Sequence, residues 1–384
     1  MKATFDSDKL AEAFHLAASI APTKSPQPIL ENVKLEVDEY RAVLIATDLE
    51  TEIRVDVPGV VEVNETGQVL LPARNIGTIL TQSVNEKLSI GSSGVGHTEI
   101  DGCWCKFQLV THDPDDFPVA EPFHVDGFHQ LPAQLLRQMI NRTVFAIDPE
   151  STRYALGGVL FEVAGDRITA VATDGRRLAW QECPAESRGG HEMHQNTVIP
   201  ARALELIERA LADNEENVQI AAHENKVVVK NRHTMITTQL VEGRYPQWRD
   251  VLRDVLPDAS KMTSVEMVVG PLQAAVRKAA IVGVHEYRGV VFTFGGQDRL
   301  TLTGHGPGTG DSRVKLSIPY DGPDITVKLD PNYVSDCLGA LDSDQTITLA
   351  MRDAESAVVF RTADGYTYVL LPLCSKTPKG DTNV

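Results

Sequence analysis

Three stretches of this chain repeat one pattern, and a repeat constrains a fold more than any single motif does. They are ILENVKLEVDEYRAVLIATDLETEI (29–53), ALGGVLFEVAGDRITAVATDGRRLA (155–179) and YRGVVFTFGGQDRLTLTGHGPG (287–308). Each reads as a strand, a short polar turn and a second strand. The first two carry the same triplet, at Ala46–Asp48 and Ala172–Asp174, and the aligned valines are Val33, Val159 and Val290, 126 and 131 residues apart. A second element follows in the same order: VLLPARNIGTILTQ (69–82), TVIPARALELIERAL (197–211) and VKLDPNYVSDCLGAL (327–341). Each is a short strand leading into an apolar-periodic helix with a proline at its first turn, where the missing N–H has no helical partner to lose. Those prolines, Pro72, Pro200 and Pro331, are 128 and 131 apart.

An amphipathic helix opens each repeat, at 8–21, 131–145 and 271–282; in the first, Leu10, Phe14 and Ala17 share a face, with Ala21 a turn further on. Alternating strands close it, as in NVQIAAHENKVVVKNRHTMITTQLVEG (217–243) and TITLAMRDAESAVVFRTADGYTYVLLPL (346–373). Such alternation marks antiparallel sheet with one buried face. The fold class is therefore α+β in three repeated domains, 1–127, 128–256 and 257–374. Linkers run through THDPDDFPVAEPF (111–123) and RYPQWRDVLRDVLPDAS (244–260). Dividing 384 residues by three gives 128 each, a common domain size. The polar end, residues 375–384, is expected to be a disordered tail.

The net charge of −17 argues against tight phosphate binding, which runs on Lys and Arg. The six predicted helices (8–21, 72–82, 131–145, 200–211, 271–282 and 330–341) depart from that balance. Together they carry +2, leaving −19 for the rest. Without an apolar run of about 18 residues no transmembrane helix is expected. The opening MKATFDSDKLAEAF lacks a signal-peptide core, so a cytoplasmic protein is expected. Five cysteines make no disulfide framework.

Motifs of catalysis fall short. HEMH (191–194) is one residue too short to set two histidines on one helix face as H-E-x-x-H does. GHGPGTGDS (304–312) lacks the Gly-Lys-Ser/Thr of a phosphate cradle, and DPDD (113–116) lacks the Gly and Glu of a calcium loop. Cys103 and Cys105 have no second pair at zinc spacing. Asp48 and Asp174 read as turn formers rather than paired acids. No catalytic residue, metal or cofactor is assigned.

The run RYALGGVLFEV…ITAVATDGRRLA (153–179), then GRYPQW (243–248) and YVLLPL (368–373), resembles the bacterial sliding clamp, the beta subunit of the replicative polymerase. PILENVKLEV and ATDLETEI near the N-terminus match it too. The resemblance runs from Met1 to about Cys374. It implies a non-enzymatic processivity factor whose three domains close head to tail with a second copy. The homodimeric ring would encircle duplex DNA without reading its sequence, helices lining the hole and sheets outside. An interface joining unlike surfaces must close by rotation or run into a filament. Phe107 and Leu109 would meet Ile281 and Val282 across that joint, with plain core packing as the other reading of each. A mildly basic lining inside an acidic chain suits a ring that holds DNA without gripping it. Its candidate DNA-facing residues are Lys24, Arg74, Arg137, Arg142, Arg153, Tyr154, Arg202, Arg277 and Lys278.

The same resemblance implies partners, namely the replicative polymerase, the clamp loader and repair proteins, which dock a short peptide in an apolar cleft between the second and third domains. An extended peptide needs preformed apolar pockets and a few polar groups that fix its register. Residues carried over are Leu156, Thr173, Gly175, Arg176, Arg177 and Leu178; Pro246 and Val251; and Tyr333, Ser356, Val369, Leu370, Leu371, Pro372 and Leu373. The chain departs from the family at Glu150, where a neutral polar residue is usual, and at Asp250 and Cys374, where Arg is frequent. Glu150 bears on one DNA contact, whereas Asp250 and Cys374 leave open a specialised paralogue; an enzyme on the same scaffold is the reading from another class.

Overall fold

The computed structural model describes residues 1–84, 86–94, 96–118, 127–151, 155–191, 193, 196–211, 216–255, 261–283, 289–295 and 299–373. The first repeat comprises β1 (Lys2–Asp6), α1 (Ser7–Ala18), β2 (Asn32–Val37), β3 (Ala42–Thr47), β4 (Thr51–Asp56), β5 (Val60–Glu65), β6 (Gly67–Pro72), α2 (Ala73–Gln82), β7 (Lys87–Gly94), β8 (His97–Asp101) and β9 (Lys106–Val110). The second follows in register: β10 (Phe128–Pro132), α3 (Ala133–Asn141), β11 (Gly158–Ala164), β12 (Arg167–Thr173), β13 (Arg177–Pro184), β14 (Glu186–Arg188), β15 (Val198–Pro200), α4 (Ala201–Ala210), β16 (Asn217–His223), β17 (Lys226–Lys230) and β18 (Thr234–Gln239). A linker helix, α5 (Trp248–Val255), leads to the third: β19 (Thr263–Val268), α6 (Val269–Ala280), β20 (Val290–Gly295), β21 (Arg299–Gly306), β22 (Gly310–Ser317), β23 (Ile325–Leu329), α7 (Pro331–Gly339), β24 (Thr346–Met351), β25 (Val358–Arg361) and β26 (Tyr366–Leu370).

The helices form where the apolar spacing places them, with shorter bounds. In α1 the buried face is Leu10, Ala13, Phe14 and Ala17, and the Asp6 carboxylate accepts from the Lys9 N–H as N-cap. Ser19 ends that helix early by donating from Oγ to the Leu16 carbonyl at 2.7 Å, so Ala21 lies beyond it. Pro331 stands in the first turn of α7 as expected, whereas Pro72 and Pro200 are the N-cap residues of α2 and α4 and close the preceding strands. The Gly-rich 304–312 stretch turns β21 into β22 as a hairpin.

Contacts gather the chain into two compact units rather than three. One holds Met1–Arg137, Glu162–Arg167 and Pro184–Val241; the other holds Gln138–Phe161, Ile168–Cys183 and Glu242–Val384. The reason lies in the sheets, which run on from one repeat into the next. In the first unit, nine strands lie in the order β14-β10-β16-β17-β18-β4-β3-β2-β6, beside a five-stranded sheet β5-β1-β7-β8-β9. The join is β18 on β4, antiparallel, with Thr238 opposite Thr51. In the second unit the order is β11-β12-β13-β26-β25-β24-β19, with a four-stranded sheet β22-β21-β20-β23. Here the join is β26 on β13, again antiparallel, with Leu370 opposite Arg177. The fourth strand of one repeat thus pairs with the last strand of the next, twice over. Phe5, Phe14, Leu35 and Leu44 are buried in the first unit, and Phe161, Phe292, Phe360 and Tyr366 in the second. Each linker is tied down by one buried aromatic ahead of a proline, Phe117 before Pro118 and Tyr245 before Pro246; the Tyr245 hydroxyl donates to the Val171 carbonyl at 3.1 Å.

Candidate partner cleft and DNA-facing surface

The cleft residues all fall in the second unit, around the turn that joins β12 to β13. Thr173 Oγ1 donates to the Arg177 carbonyl at 2.6 Å and accepts from the Gly175 N–H at 3.1 Å. Asp174 Oδ1 accepts from the N–H groups of Arg176 and Arg177. Side chains here replace the backbone's own turn bonds, which is what short Thr-Asp pairs do well. Gly175 holds φ +83° with open space around it. A side chain would fit sterically; the left-handed backbone selects glycine.

Arg177 pins this turn to the third repeat. It donates to Asp174 Oδ2 at 2.9 Å, Asp336 Oδ2 at 2.7 Å and the Phe145 carbonyl at 2.6 Å, and lies 4.2 Å over the Tyr333 ring. Burial opposes its charge, but the Asp336 hydrogen bond and the surrounding groups more than offset that, and its pKa rises. It is a fixed wall, with its side chain only 9% exposed.

The apolar wall is built across the joint, with Leu178 facing Val369 on the neighbouring strand. Both are buried, as are Leu156, Thr173 and Ser356. Val369 also belongs to a core cluster with Ala350, Ala357 and Val359, against which Trp180, Leu252 and Met262 pack. Beyond β26 the chain leaves the core: Leu371 is 39% exposed, and Pro372 and Leu373 are half-buried. The Leu371 N–H is held by the Arg176 carbonyl at 3.0 Å. Pro246 is half-buried, and Val251 lies on α5 with its side chain outside the described residues. Leu370 is a correction: it points to the opposite face of β26 from Val369 and is 0% exposed, so it offers nothing to a ligand.

The first unit holds a second copy of this construction. Thr47 Oγ1 donates to the Thr51 carbonyl, and Asp48 Oδ1 accepts from the N–H groups of Glu50 and Thr51. The Gln239 N–H meets the Glu50 carbonyl at 2.9 Å, as Leu371 meets Arg176. In register, Glu52, Thr237 and Gln239 stand where the other joint has Leu178, Val369 and Leu371. The backbone is the same and the wall is polar.

Of the candidate DNA-facing cations, Lys24, Arg74, Arg202, Arg277 and Lys278 are exposed. Arg202 also pairs with Asp48 at 3.0 Å. Arg137 is partly exposed, 4.0 Å from Glu208. Arg142 is a correction. At 2% exposure it donates to Gln181 Oε1 and Asp364 Oδ2, both at 2.8 Å, and lies over the Tyr366 ring, so its charge is used inside the unit. Arg153 and Tyr154 lie outside the described residues. Glu150 is exposed, and so is Asp250, which pairs with Arg253.

Phe107 and Leu109 alternate half-buried along β9, the last strand of its sheet. Ile281, just past α6, is 78% exposed, and Val282 is half-buried. β22 is likewise outermost in its sheet. Among the described residues, no three or more His, Cys, Asp or Glu gather as metal ligands, and no helix is long and apolar enough to cross a membrane.

Three homologous repeats joined sheet to sheet, with cations exposed on the helices, define a repeat-built DNA clamp. The N-terminal, central and C-terminal domains of the DNA polymerase III beta subunit match residues 1–121, 130–247 and 253–374. The chain belongs to that family, and its function is that of a DNA sliding clamp. It is 28% identical over 382 residues to the beta sliding clamp of Pseudomonas putida, covering 97% of this chain and 100% of the relative. It is 25% identical to that of Chlamydia pneumoniae, covering 97% and 99%. Among solved structures, a DnaN sliding clamp from Pseudomonas aeruginosa bound to griselimycin superposes with TM-score 0.88 at 25% identity, over 98% of this chain and 100% of the other. The Bacillus subtilis clamp shares the fold with TM-score 0.89 at 22% identity, over 98% and 99%.

Proposed function

We propose that two copies of this chain close head to tail around duplex DNA and tether the replicative polymerase and other partners to it. The observation that carries this reading is the repeated joint. A fourth strand pairs with a last strand at β4–β18 and at β13–β26. That pattern leaves β22 of the third repeat and β9 of the first as outermost strands, so each finds its mate on another copy. Phe107, Leu109, Ile281 and Val282 lie on or beside those edges and form the seam. The repeats act as domains 1–127, 128–256 and 257–374.

The exposed cations Lys24, Arg74, Arg202, Arg277 and Lys278, with Arg137, Arg153 and Tyr154, face the duplex. Arg202 pairs with Asp48 and Arg137 lies 4.0 Å from Glu208, and the chain around them is acidic. Contact with phosphate is then weak and shifting, which suits sliding. The protein works as a processivity factor in the cytoplasm and does no chemistry of its own; the clamp loader opens it. Partners insert an extended apolar peptide along Leu178, Val369 and Leu371, over the fixed Arg177–Tyr333 wall, with Thr173, Gly175, Arg176, Leu156, Pro246, Val251, Ser356, Pro372 and Leu373 completing the cleft.

The test is a polarisation titration with a fluorescent peptide of the Gln-Leu-x-Leu-Phe type. Saturable binding is expected, lost when the peptide's Leu and Phe become Ala and weakened at least tenfold by Leu178→Ala with Leu371→Ala. Undiminished binding to that double variant, still dimeric, would move the cleft elsewhere.

A further inference from the structure

His129 is an imidazole with 0% exposure and no hydrogen-bond partner of good geometry on either ring nitrogen. It lies in β10, inside the nine-stranded sheet, opposite Ser187 on one side and Ile220 on the other. Burying two unmet polar atoms is costly, and native proteins rarely leave them so without a reason. Its neighbour explains part of the setting. After β14 the chain reverses through Gly189 and Gly190, both left-handed (φ +69° and +68°), and brings the His191 ring to 5.0 Å from that of His129, edge to face. The reversal is tight: a Cβ on Gly127 would lie 3.0 Å from that of His191.

His191 is held by its far nitrogen. Nε2 lies 2.8 Å from the Ala222 carbonyl and 3.0 Å from the Ala222 N–H. A neutral ring can satisfy only one of these. With the proton on Nε2 it donates to the carbonyl, and Nδ1 is left as a buried lone pair with no partner. This is how metal-binding histidines are commonly held, one nitrogen donating to a carbonyl and the other free to ligate. Both rings line an open cavity of about 360 Å³ with the half-buried Met193.

We propose that His129, His191 and Met193 form a binding site for copper(I). Three neutral donors bring no negative charge, which suits a monovalent ion better than a divalent one. The thioether is soft, as copper(I) prefers. Ring centroids 5.0 Å apart leave the two imidazoles near enough for one ion to reach both. HEMH fails as a helical zinc motif, yet its first and third residues meet a histidine some sixty positions earlier in the chain.

The test uses the full chain with Cys103, Cys105 and Cys374 changed to Ser, so that the buried Cys183 and Cys337 are the only thiols left. Anaerobic titration with copper(I) against a chromophoric chelator should show one ion per chain. His129→Phe and Met193→Leu should each weaken retention at least tenfold, and X-ray absorption should report nitrogen and sulfur donors. Copper(I) should also raise the unfolding temperature of this Ser-substituted chain and not that of either variant. Met193→Leu, half-buried in a loop, keeps the test sound if His129→Phe folds poorly. Absence of retained copper, or retention that neither variant changes, overturns the proposal.

Discussion

Arg142 carries a charge that the sequence counts but cannot aim. Placed by periodicity inside a helix spanning 131–145, it reads as one of several cations on a solvent face. In the structure α3 stops at Asn141, and Arg142 follows it into the interior, bonded to Gln181 and Asp364. Changing Arg142→Met removes three charge-assisted bonds, to Gln181, Asp364 and Gln345, and should cost about 2–3 kcal/mol of stability, read by urea unfolding, while DNA retention stays near normal. A pH signature goes with it. Burial raises the Asp364 pKa, but hydrogen bonds from Thr362 and Arg142 outweigh that and leave it lowered. A carboxyl with a lowered folded pKa adds stability above its unfolded value, about 3.9, and that stability is lost as pH falls through the folded value. Stability of the unmodified protein should therefore fall more steeply below pH ~4 than that of the Met variant. Arg74, Arg202, Arg277 and Lys278 are legible as exposed because a helix periodicity separates faces; Arg142 is not, because it sits one residue past a helix end. Leu370 escapes for a related reason. In YVLLPL the apolar residues run on without alternation, so the sequence does not say which leucine faces the cleft and which the core.

At the level of the element, one turn appears twice with different residues at its tip. Gly175 and Leu49 occupy equivalent positions at φ +83° and +78°, after the same Thr-Asp pair. Leucine in that region carries about 1–2 kcal/mol of backbone strain. Leu49 is 49% exposed, so losing its side chain forfeits little burial. Leu49→Gly should thus stabilise the protein by about 0.5–1 kcal/mol, and Gly175→Leu should destabilise it by about 1–2 kcal/mol, both by thermal or chemical unfolding. Equal and small effects at the two sites would mean the turns relax freely. The shared ATD triplet makes this turn legible in the sequence, as the recurring prolines do the second helix of each repeat. The opening strands β1, β10 and β19 are not legible there. Each is five or six residues long and passes straight into a helix, so the helical pattern covers the strand's shorter one. The bounds of 131–145 illustrate this, since Leu131 and Pro132 belong to β10.

The joints between repeats exist only at the scale of the whole molecule. β4 and β18 are separated by most of a repeat and a half, and nothing local in Thr51 or Thr238 announces that they face each other with hydroxyls 2.9 Å apart. Pairing of this kind depends on register and on which edges remain open, and neither has a sequence signature. The proposed third joint, between copies, is open to direct test. Sedimentation should give a particle of twice the 41.9 kDa chain, and Ile281→Asp should shift it toward the single chain at micromolar concentration, whereas Tyr40→Asp, 91% exposed on another loop, should not. A dimer indifferent to Ile281→Asp would place the seam elsewhere.

The strand pairing has a further consequence for how such an assembly can be threaded. Wherever a repeat is followed by another in the same chain, the joint is backed by a covalent linker that carries a buried aromatic, Phe117 or Tyr245. Where β9 meets β22 of another copy, only hydrogen bonds and side-chain contact would span the gap. In the proposed ring the polypeptide itself would mark out the gates: four of six joints would be fastened by peptide bonds and two by latches. A loader would then need no special sequence to find where to pull, because those two seams would be the ones that part without tearing the chain.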